Sequence, residues 1–262
     1  MLQERGLSPI HRLGQNFLHD QNILSKLVDA SGVQKGDTVL EIGPGTGSLT
    51  EELLERGCDV VACEIDQGLA TLLQDRLGQS IHLIHGDCLV KKKLHPEIVA
   101  ALGDRSWRLV SNLPYQIASP LLVSLLSNHP NCLGSVVTIQ QEVAQRLMAK
   151  VDTSAWGVLS ILVQRLADVS LITKVPSTCF WPQPKVTSSC VKVIPHAKSK
   201  SQDNTEFGTF VTKLFAGRRK QLGTILGRDQ KLPEGIFQDA RPSTLTIAQL
   251  ESLHESVKTS AS

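Results

Sequence analysis

Between residues 37 and 148, short strand-like runs alternate with amphipathic helical ones, and this alternation constrains the fold more than any other feature. Asp37–Ile42, Val60–Cys63, Ile81–His85, Leu109–Ser111 and Val136–Gln140 read as strands. Ser48–Arg56, Leu69–Leu77, Pro120–Leu126 and Glu142–Met148 read as helices, the first two stopped by Gly57 and Gly78. Upstream, Asp20 is placed to cap a helix whose Ile23, Leu24, Leu27 and Val28 share one face. Strands and helices interleaved at this spacing predict βαβ units, hence a parallel sheet with helices on both faces.

Past residue 150 the pattern changes. Trp156–Leu166 reads as helix, and Val169–Val175 and Val186–Ile194 read as strands on either side of a stretch holding Pro176, Pro182 and Pro184. Residues 196–205 are polar. Beyond them the apolar positions Phe207, Phe210, Val211, Leu214 and Phe215, then Leu222, Ile225 and Leu226, then Ile247, Leu250, Leu253 and Val257, mark helices only. Thr244 and Thr246 are both possible caps for the last of these. The expected organisation is an α/β domain over 1–197 and a small all-helical domain over 198–262.

Composition narrows the function classes. Hydrophobic residues are 41% and charged residues 20%, which is enough apolar material for a core and excludes a disordered chain. No run of about 18 apolar residues predicts a membrane span, and Met1–Arg5 leads into no signal-peptide core, so a cytoplasmic protein is expected. The six cysteines form no C-x-x-C pair, so reduced thiols and no metal site are expected. There are 27 Lys/Arg and 25 Asp/Glu, a net charge of +2. From Pro195 onward, ten basic residues face seven acidic ones, with Arg218-Arg219-Lys220 the cluster singled out. That triplet reads as a phosphate contact or as a solvated helix end.

Glu41-Ile42-Gly43-Pro44-Gly45-Thr46-Gly47 links the first strand of the alternation to its helix. Glycines there allow a sharp turn and a close approach to a ligand, although structural turns use them too. Glu64 ends the next strand, where a carboxylate accepts both hydroxyls of a ribose; the other use for Glu64 and Asp66 is a helix cap, and Asp66 suits the cap better. NAD and S-adenosylmethionine both use this geometry. The loop is not Gly-x-Gly-x-x-Gly, and Pro44 stiffens it, which favours the cofactor without a pyrophosphate. Asp87, after the third strand, then suits the adenine amine of the cofactor, or simply a turn.

Asn112-Leu113-Pro114-Tyr115 follows the fourth strand, at the carboxyl edge where ligands bind in such sheets. An exocyclic base amine is a poor nucleophile because its lone pair is delocalised into the ring. Two acceptors, the Asn112 side-chain oxygen and the Leu113 carbonyl next to Pro114, would draw its hydrogens out of plane and localise the lone pair. Tyr115 can stack on a base that arrives unpaired or flipped.

On these motifs the chain resembles the rRNA adenine dimethylase family, the KsgA type, along nearly its whole length. The resemblance also rests on Gly14-Gln15-Asn16-Phe17-Leu18, Gln141–Leu147, Phe180–Val186 and Phe215–Lys220. It implies a class I, Rossmann-like, S-adenosylmethionine-dependent methyltransferase with a mixed seven-stranded sheet. Asn16, Leu18, Gly43, Gly45, Glu64, Asp87 and Asn112 would hold the cofactor. Asn112, Leu113, Pro114 and Tyr115 would serve the transfer, with Phe180 joining Tyr115 at the target adenine unless it is a core aromatic. Arg218, Arg219 and Lys220 would contact RNA. The implied reaction puts two methyl groups on each of two adjacent adenosines in a hairpin near the 3′ end of small-subunit rRNA. The implied context is a pre-ribosomal particle, with the enzyme a monomer that uses no metal and no membrane. Trp156, Gln140-Gln141 and Gly223 depart from the family's usual Tyr, Gln-Lys and Arg, and the segment before Gly14 carries few basic residues; the last three thin the expected basic charge. Two rivals share parts of the pattern: a large-subunit rRNA methylase, and a binding factor with a relic fold. The presence of Glu64, Asp87 and Asn112 together speaks against the second.

Overall fold

The computed structural model describes residues 7–197 and 205–260. Seven strands form one sheet in the order β4-β3-β2-β7-β8-β11-β9. They are β2 (Thr38–Ile42), β3 (Asp59–Glu64), β4 (Ile81–His85), β7 (Trp107–Asn112), β8 (Cys132–Gln140), β9 (Ala167–Val175) and β11 (Ser188–Pro195). The first five in that order pair in parallel, and β11 is antiparallel to both β8 and β9. The mixed seven-stranded sheet is therefore as expected. Strand order reverses between β2 and β7, the point at which open α/β sheets form a crevice at the strands' carboxyl ends.

Every residue of β2 is buried, as a strand covered on both faces must be. Val39 faces the core built with α1 (Gln21–Ser31) and α2 (Ser48–Glu55). Leu40 and Ile42 face the core built with α4 (Pro96–Leu102), α5 (Ala118–Asn128) and α7 (Val158–Gln164). Asp20 caps α1 through its side chain, accepting from the Ile23 N–H at 3.1 Å, and Gly32 ends the helix in the left-handed conformation. Asp66 does the same for α3 (Gln67–Leu77), accepting from Leu69 N–H at 3.0 Å.

One helix and two strand pairs went unanticipated. Helix α4 is only seven residues long and too short to show a period. The pairs β5–β6 (Leu89–Val90 with Lys93–Leu94) and β1–β10 (Phe17–Leu18 with Phe180–Trp181) are two-residue strands, below the reach of any alternation pattern. The β1–β10 pair ties the N-terminal segment to the proline-rich one, a contact spanning about 160 positions of sequence.

Helices α8 (Thr205–Ala216), α9 (Leu222–Leu226) and α10 (Ile247–Ser260) share a third core, completed by Ala149, Trp156 and Ile161. Trp156, at 1% exposure, is thus a core residue of the helical part rather than the start of a helix, which begins at Val158 after Gly157. Arg165 lies over the Phe207 ring at 4.4 Å and donates to Glu251 at 2.7 Å. Gly223, in α9, is bonded to the segment around Gln238. Its N–H donates to the Gln238 carbonyl at 2.9 Å, and a β-carbon there would lie 2.7 Å from the Gln238 side-chain oxygen. Among the described residues no helix is long and apolar enough to cross a membrane, and all six cysteines are buried and unbridged.

Candidate active site

The crevice between β2 and β7 is built from the strand ends outward. The Ser111 hydroxyl donates to the Ile42 carbonyl at 2.6 Å, and Leu113 N–H donates to Thr138 O at 3.1 Å. These bonds fix the Asn112–Tyr115 turn beside the glycine turn. Gly43 and Gly45 have φ of 69° and 61°, where a side chain is strained. Space is short as well: a β-carbon on Gly43 would crowd the Pro114 ring at 3.2 Å, and one on Gly45 would clash with the Phe17 ring at 2.8 Å.

Asn16, Leu18, Gly43, Gly45, Glu64, Asp87, Asn112, Leu113, Pro114 and Tyr115 all line this one cleft. Glu64 is 4% exposed. One carboxylate oxygen accepts from Gly45 N–H at 3.1 Å and the other from Asp66 N–H at 2.9 Å. Burial pushes its pKa up, and those backbone donors push it back down. Each oxygen keeps a lone pair for a further donor. Asp87 spends one oxygen on Leu89 N–H at 2.9 Å.

Asn112 Nδ2 donates to the Asn16 carbonyl at 3.0 Å. A carbonyl only accepts, so this bond fixes which end of the amide is nitrogen and leaves Oδ1 as the opposite, accepting edge. The Tyr115 hydroxyl is held by Ser188 Oγ at 2.8 Å, and burial raises its pKa. Its ring orientation is therefore fixed while it lines the cleft.

Phe180 is placed differently from the expectation that it stands with Tyr115. It is 2% exposed, lies opposite Leu18 in the β1–β10 pair, packs in the core with Val175 and Cys179, and does not line the cleft. Alternation along a two-residue strand sends Phe180 inward and Trp181 outward. The triplet at the end of α8 also divides. Arg218 is half-buried and donates to the backbone carbonyls of Ser154 at 3.2 Å and Thr153 at 3.3 Å, while Arg219 and Lys220 are exposed.

Sequence reasoning placed Asn16 and Leu18 at the cleft by resemblance but missed how their segment, a strap lining the cleft over 13–18, is tied down. Gln15 donates from Nε2 to Asp66 at 3.0 Å, and its Oε1 accepts from Ile10 N–H at 2.7 Å. Gln15 lies inside the Gly14–Leu18 motif, but no local pattern gives a contact 51 residues away. Glu41 was read only as part of the glycine motif. It is buried, and Thr50 Oγ1 donates to it at 2.7 Å. Burial, against the Thr50 hydrogen bond and with the nearby Glu64 charge, pushes its pKa up to about 8. The folded chain thus holds a proton on Glu41 that an unfolded carboxyl, near 4.5, has lost. Stability from this group is whole below pH 4.5 and falls as pH rises toward 8, by up to about 1.4 kcal/mol per pH unit. Glu41→Gln should flatten the fall in urea midpoint between pH 5 and 8; an equally steep fall in the variant assigns it to other groups.

An open mixed sheet of this order, with a glycine turn at the switch point and a buried carboxylate closing the next strand, defines the class: a Rossmann-like methyltransferase. The family profile of ribosomal RNA adenine dimethylases matches residues 10–258, and the chain belongs to that family. Family and fold imply S-adenosylmethionine as methyl donor, and the reaction is dimethylation of adenine in ribosomal RNA. Ribosomal RNA small subunit methyltransferase A of Geobacillus kaustophilus is 39% identical, over 97% of this chain and 92% of its own. The same-named protein of Alkaliphilus oremlandii is 36% identical over 90% and 88%. Among solved structures, a dimethyladenosine transferase from Plasmodium falciparum superposes with a TM-score of 0.76 at 25% identity, covering 94% of this chain and 98% of that one. The 23S rRNA methyltransferase ErmE gives 0.67 at 24%, covering 93% and 100%, and shares the fold.

Proposed function

We propose that the chain methylates two adjacent adenosines in a hairpin near the 3′ end of small-subunit rRNA. We place the reaction in a pre-ribosomal particle in the cytoplasm, with the protein acting as a monomer. Residues 1–197 would form the catalytic domain and 198–262 the RNA-binding one. The names of the 36–40% identical relatives support the small subunit over the large-subunit rival. The observation that carries the chemistry is the fixed amide of Asn112, whose accepting edge is the one left over by Asn16.

The cleft fits the cofactor on its own geometry. Its two glycines leave little room for side chains, and Glu64 keeps lone pairs for two hydroxyls. Glu64 would hold the ribose and Asp87, through its second oxygen, the adenine amine; Asn16, Leu18, Gly43 and Gly45 would line the rest. When bound, S-adenosylmethionine supplies an electrophilic methyl group. Asn112 Oδ1 and the Leu113 carbonyl would accept the two hydrogens of the target amine and turn its lone pair out of the ring plane. Tyr115 would stack on the base; Phe180 would support β1 from beneath rather than touch it. No side chain need remove a proton before transfer, because the amine loses it afterwards. Positioning and amine polarisation would then carry the rate. Nucleoside mass spectrometry tests the reading: expression in a strain lacking the modification should restore N6,N6-dimethyladenosine to small-subunit rRNA. Dimethylation of large-subunit rRNA instead would favour the rival.

RNA contact at the helical end should fall to Arg219 and Lys220, since Arg218 is committed to the 153–154 carbonyls. Arg219→Ala with Lys220→Ala should lower the log–log salt slope of RNA binding by about 1.5–2 units. Arg218→Ala should act first on stability, by roughly 1 kcal/mol for two exposed hydrogen bonds. An unchanged slope in the double variant returns the pair to a solvated helix end.

A further inference from the structure

The hairpin that follows β4 breaks a local rule. Its two turn residues are Lys91 and Lys92, with Val90 and Lys93 paired on either side. Both have positive φ, 51° and 65°. A two-residue turn with both φ positive selects Asn-Gly or Gly-Gly, because a β-carbon in that region crowds the following carbonyl. Two lysines are a costly filling for such a turn. With Lys93 they form a run of three, all exposed and without a carboxylate partner among the described residues. Local rules that are broken without a packing gain mark places where the side chains themselves are wanted.

The turn is carried on a firm base. Leu94 is buried and Leu89 packs beside it, both against the core that holds Cys88, Ala118 and Leu121. His95 N–H donates to Cys88 O at 2.8 Å, and Leu89 N–H to Asp87 at 2.9 Å. Asp87 and Cys88 line the catalytic cleft. At about 3.3 Å per residue, the tip stands on the order of 10 Å beyond Cys88. Three ammonium groups are thus carried on a short, firm hairpin whose root, Asp87 and Cys88, lines the crevice that must admit a nucleotide. The nearest acidic side chain in sequence on the far side, Glu97, is exposed, and its N–H is capped by His95.

Resting on the RNA-methylating reading above, we infer that Lys91, Lys92 and Lys93 form a second phosphate-binding surface, gripping the rRNA backbone that flanks the target adenine. Lysine suits this use as a mobile point charge that reads phosphate without reading sequence. The surface is separate from Arg219 and Lys220. It acts on the reaction by holding substrate, so these are positioning residues.

The test uses the full chain and unmethylated small-subunit particles. Lys91→Gln, Lys92→Gln and Lys93→Gln together should lower the log–log salt slope by about 2–3 units, weaken binding at least about tenfold, and raise KM far more than they lower kcat. Lys91→Arg, Lys92→Arg and Lys93→Arg should restore binding. Lys91→Asn with Lys92→Gly suits the turn better and removes two charges; it should raise the melting temperature yet lower the slope by about 1.5–2 units. S-adenosylmethionine affinity in the same samples reports an intact cleft. An unchanged slope in the Gln variant, while Arg219→Ala with Lys220→Ala still lowers it, overturns the hairpin surface and leaves the RNA reading standing. A wild-type protein that neither binds nor methylates the particle defeats the underlying reading instead. Weaker binding at an unchanged slope would also overturn the proposal, since it would mean the lysines serve contacts other than phosphate.

Discussion

Asn112→Ala should retain most of its particle binding and lose about 10²–10³ in single-turnover methylation, the loss seen when one transition-state hydrogen-bond partner is removed. The size follows from when the contact matters. In the free base the amine is planar and its hydrogens are poorly aimed at two convergent acceptors. As the nitrogen becomes tetrahedral the bond to Oδ1 strengthens, so deletion acts on turnover more than on binding. Asn112 also ties the strap to β7 through the Asn16 carbonyl, so cofactor affinity should fall in the same variant. Asn112→Asp separates the two roles. It keeps an accepting oxygen and loses the donor to Asn16, so its cofactor affinity should suffer while more of its turnover survives than in the Ala variant. Near wild-type turnover by Asn112→Ala would remove the residue from the mechanism, and accumulation of only monomethyl adenosine by the wild type would contradict dimethylation.

What could be read in the sequence follows the range of the interactions involved. Strands β2 to β4 and their helices carry their own periods and stops. That interleaving put the glycine turn and the Asn112 turn at the sheet's carboxyl edge, whereas the order β4-β3-β2-β7 that makes the crevice depends on long-range pairing. Glu64 and Asp87 were legible because a strand end fixes where they stand. The strap was not, since Gln15 meets Asp66 and Asn16 meets Asn112 across 51 and 96 residues. Phe180 was ambiguous for a related reason: inward or outward depends on pairing with Leu18, which no local pattern announces. Arg218 looked like its two neighbours until the 153–154 turn was placed against it. The Lys91–Lys92 turn was overlooked because its signal is the wrong residue type for its backbone, visible only once φ is known.

The ribose contact should show its size in Glu64→Ala, with S-adenosylmethionine binding weakened roughly ten- to a hundredfold, since hydrogen bonds to a charged acceptor are worth about 1.5–3 kcal/mol. Two neighbours complicate the reading and also sharpen it. The same carboxylate receives Gly45 N–H and Asp66 N–H, so the Ala variant strands two backbone donors and leaves the glycine turn less firmly held. Its melting temperature should therefore fall even without cofactor. Glu64→Gln keeps the volume and one accepting oxygen but turns an NH2 toward one of those two donors, and should bind more weakly than its nearly unchanged shape suggests. Asp66→Asn is the control, because Asp66 serves the α3 cap and Gln15 and stands one step from the proposed ribose contact. Calorimetry on the three variants orders them if the carboxylate itself grips the cofactor: Asp66→Asn least affected, both Glu64 variants far weaker. Equal losses in all three would mean that the loop's general integrity is being measured. Unchanged affinity in Glu64→Ala, or tight NAD binding by the wild type, would take the ribose away from Glu64.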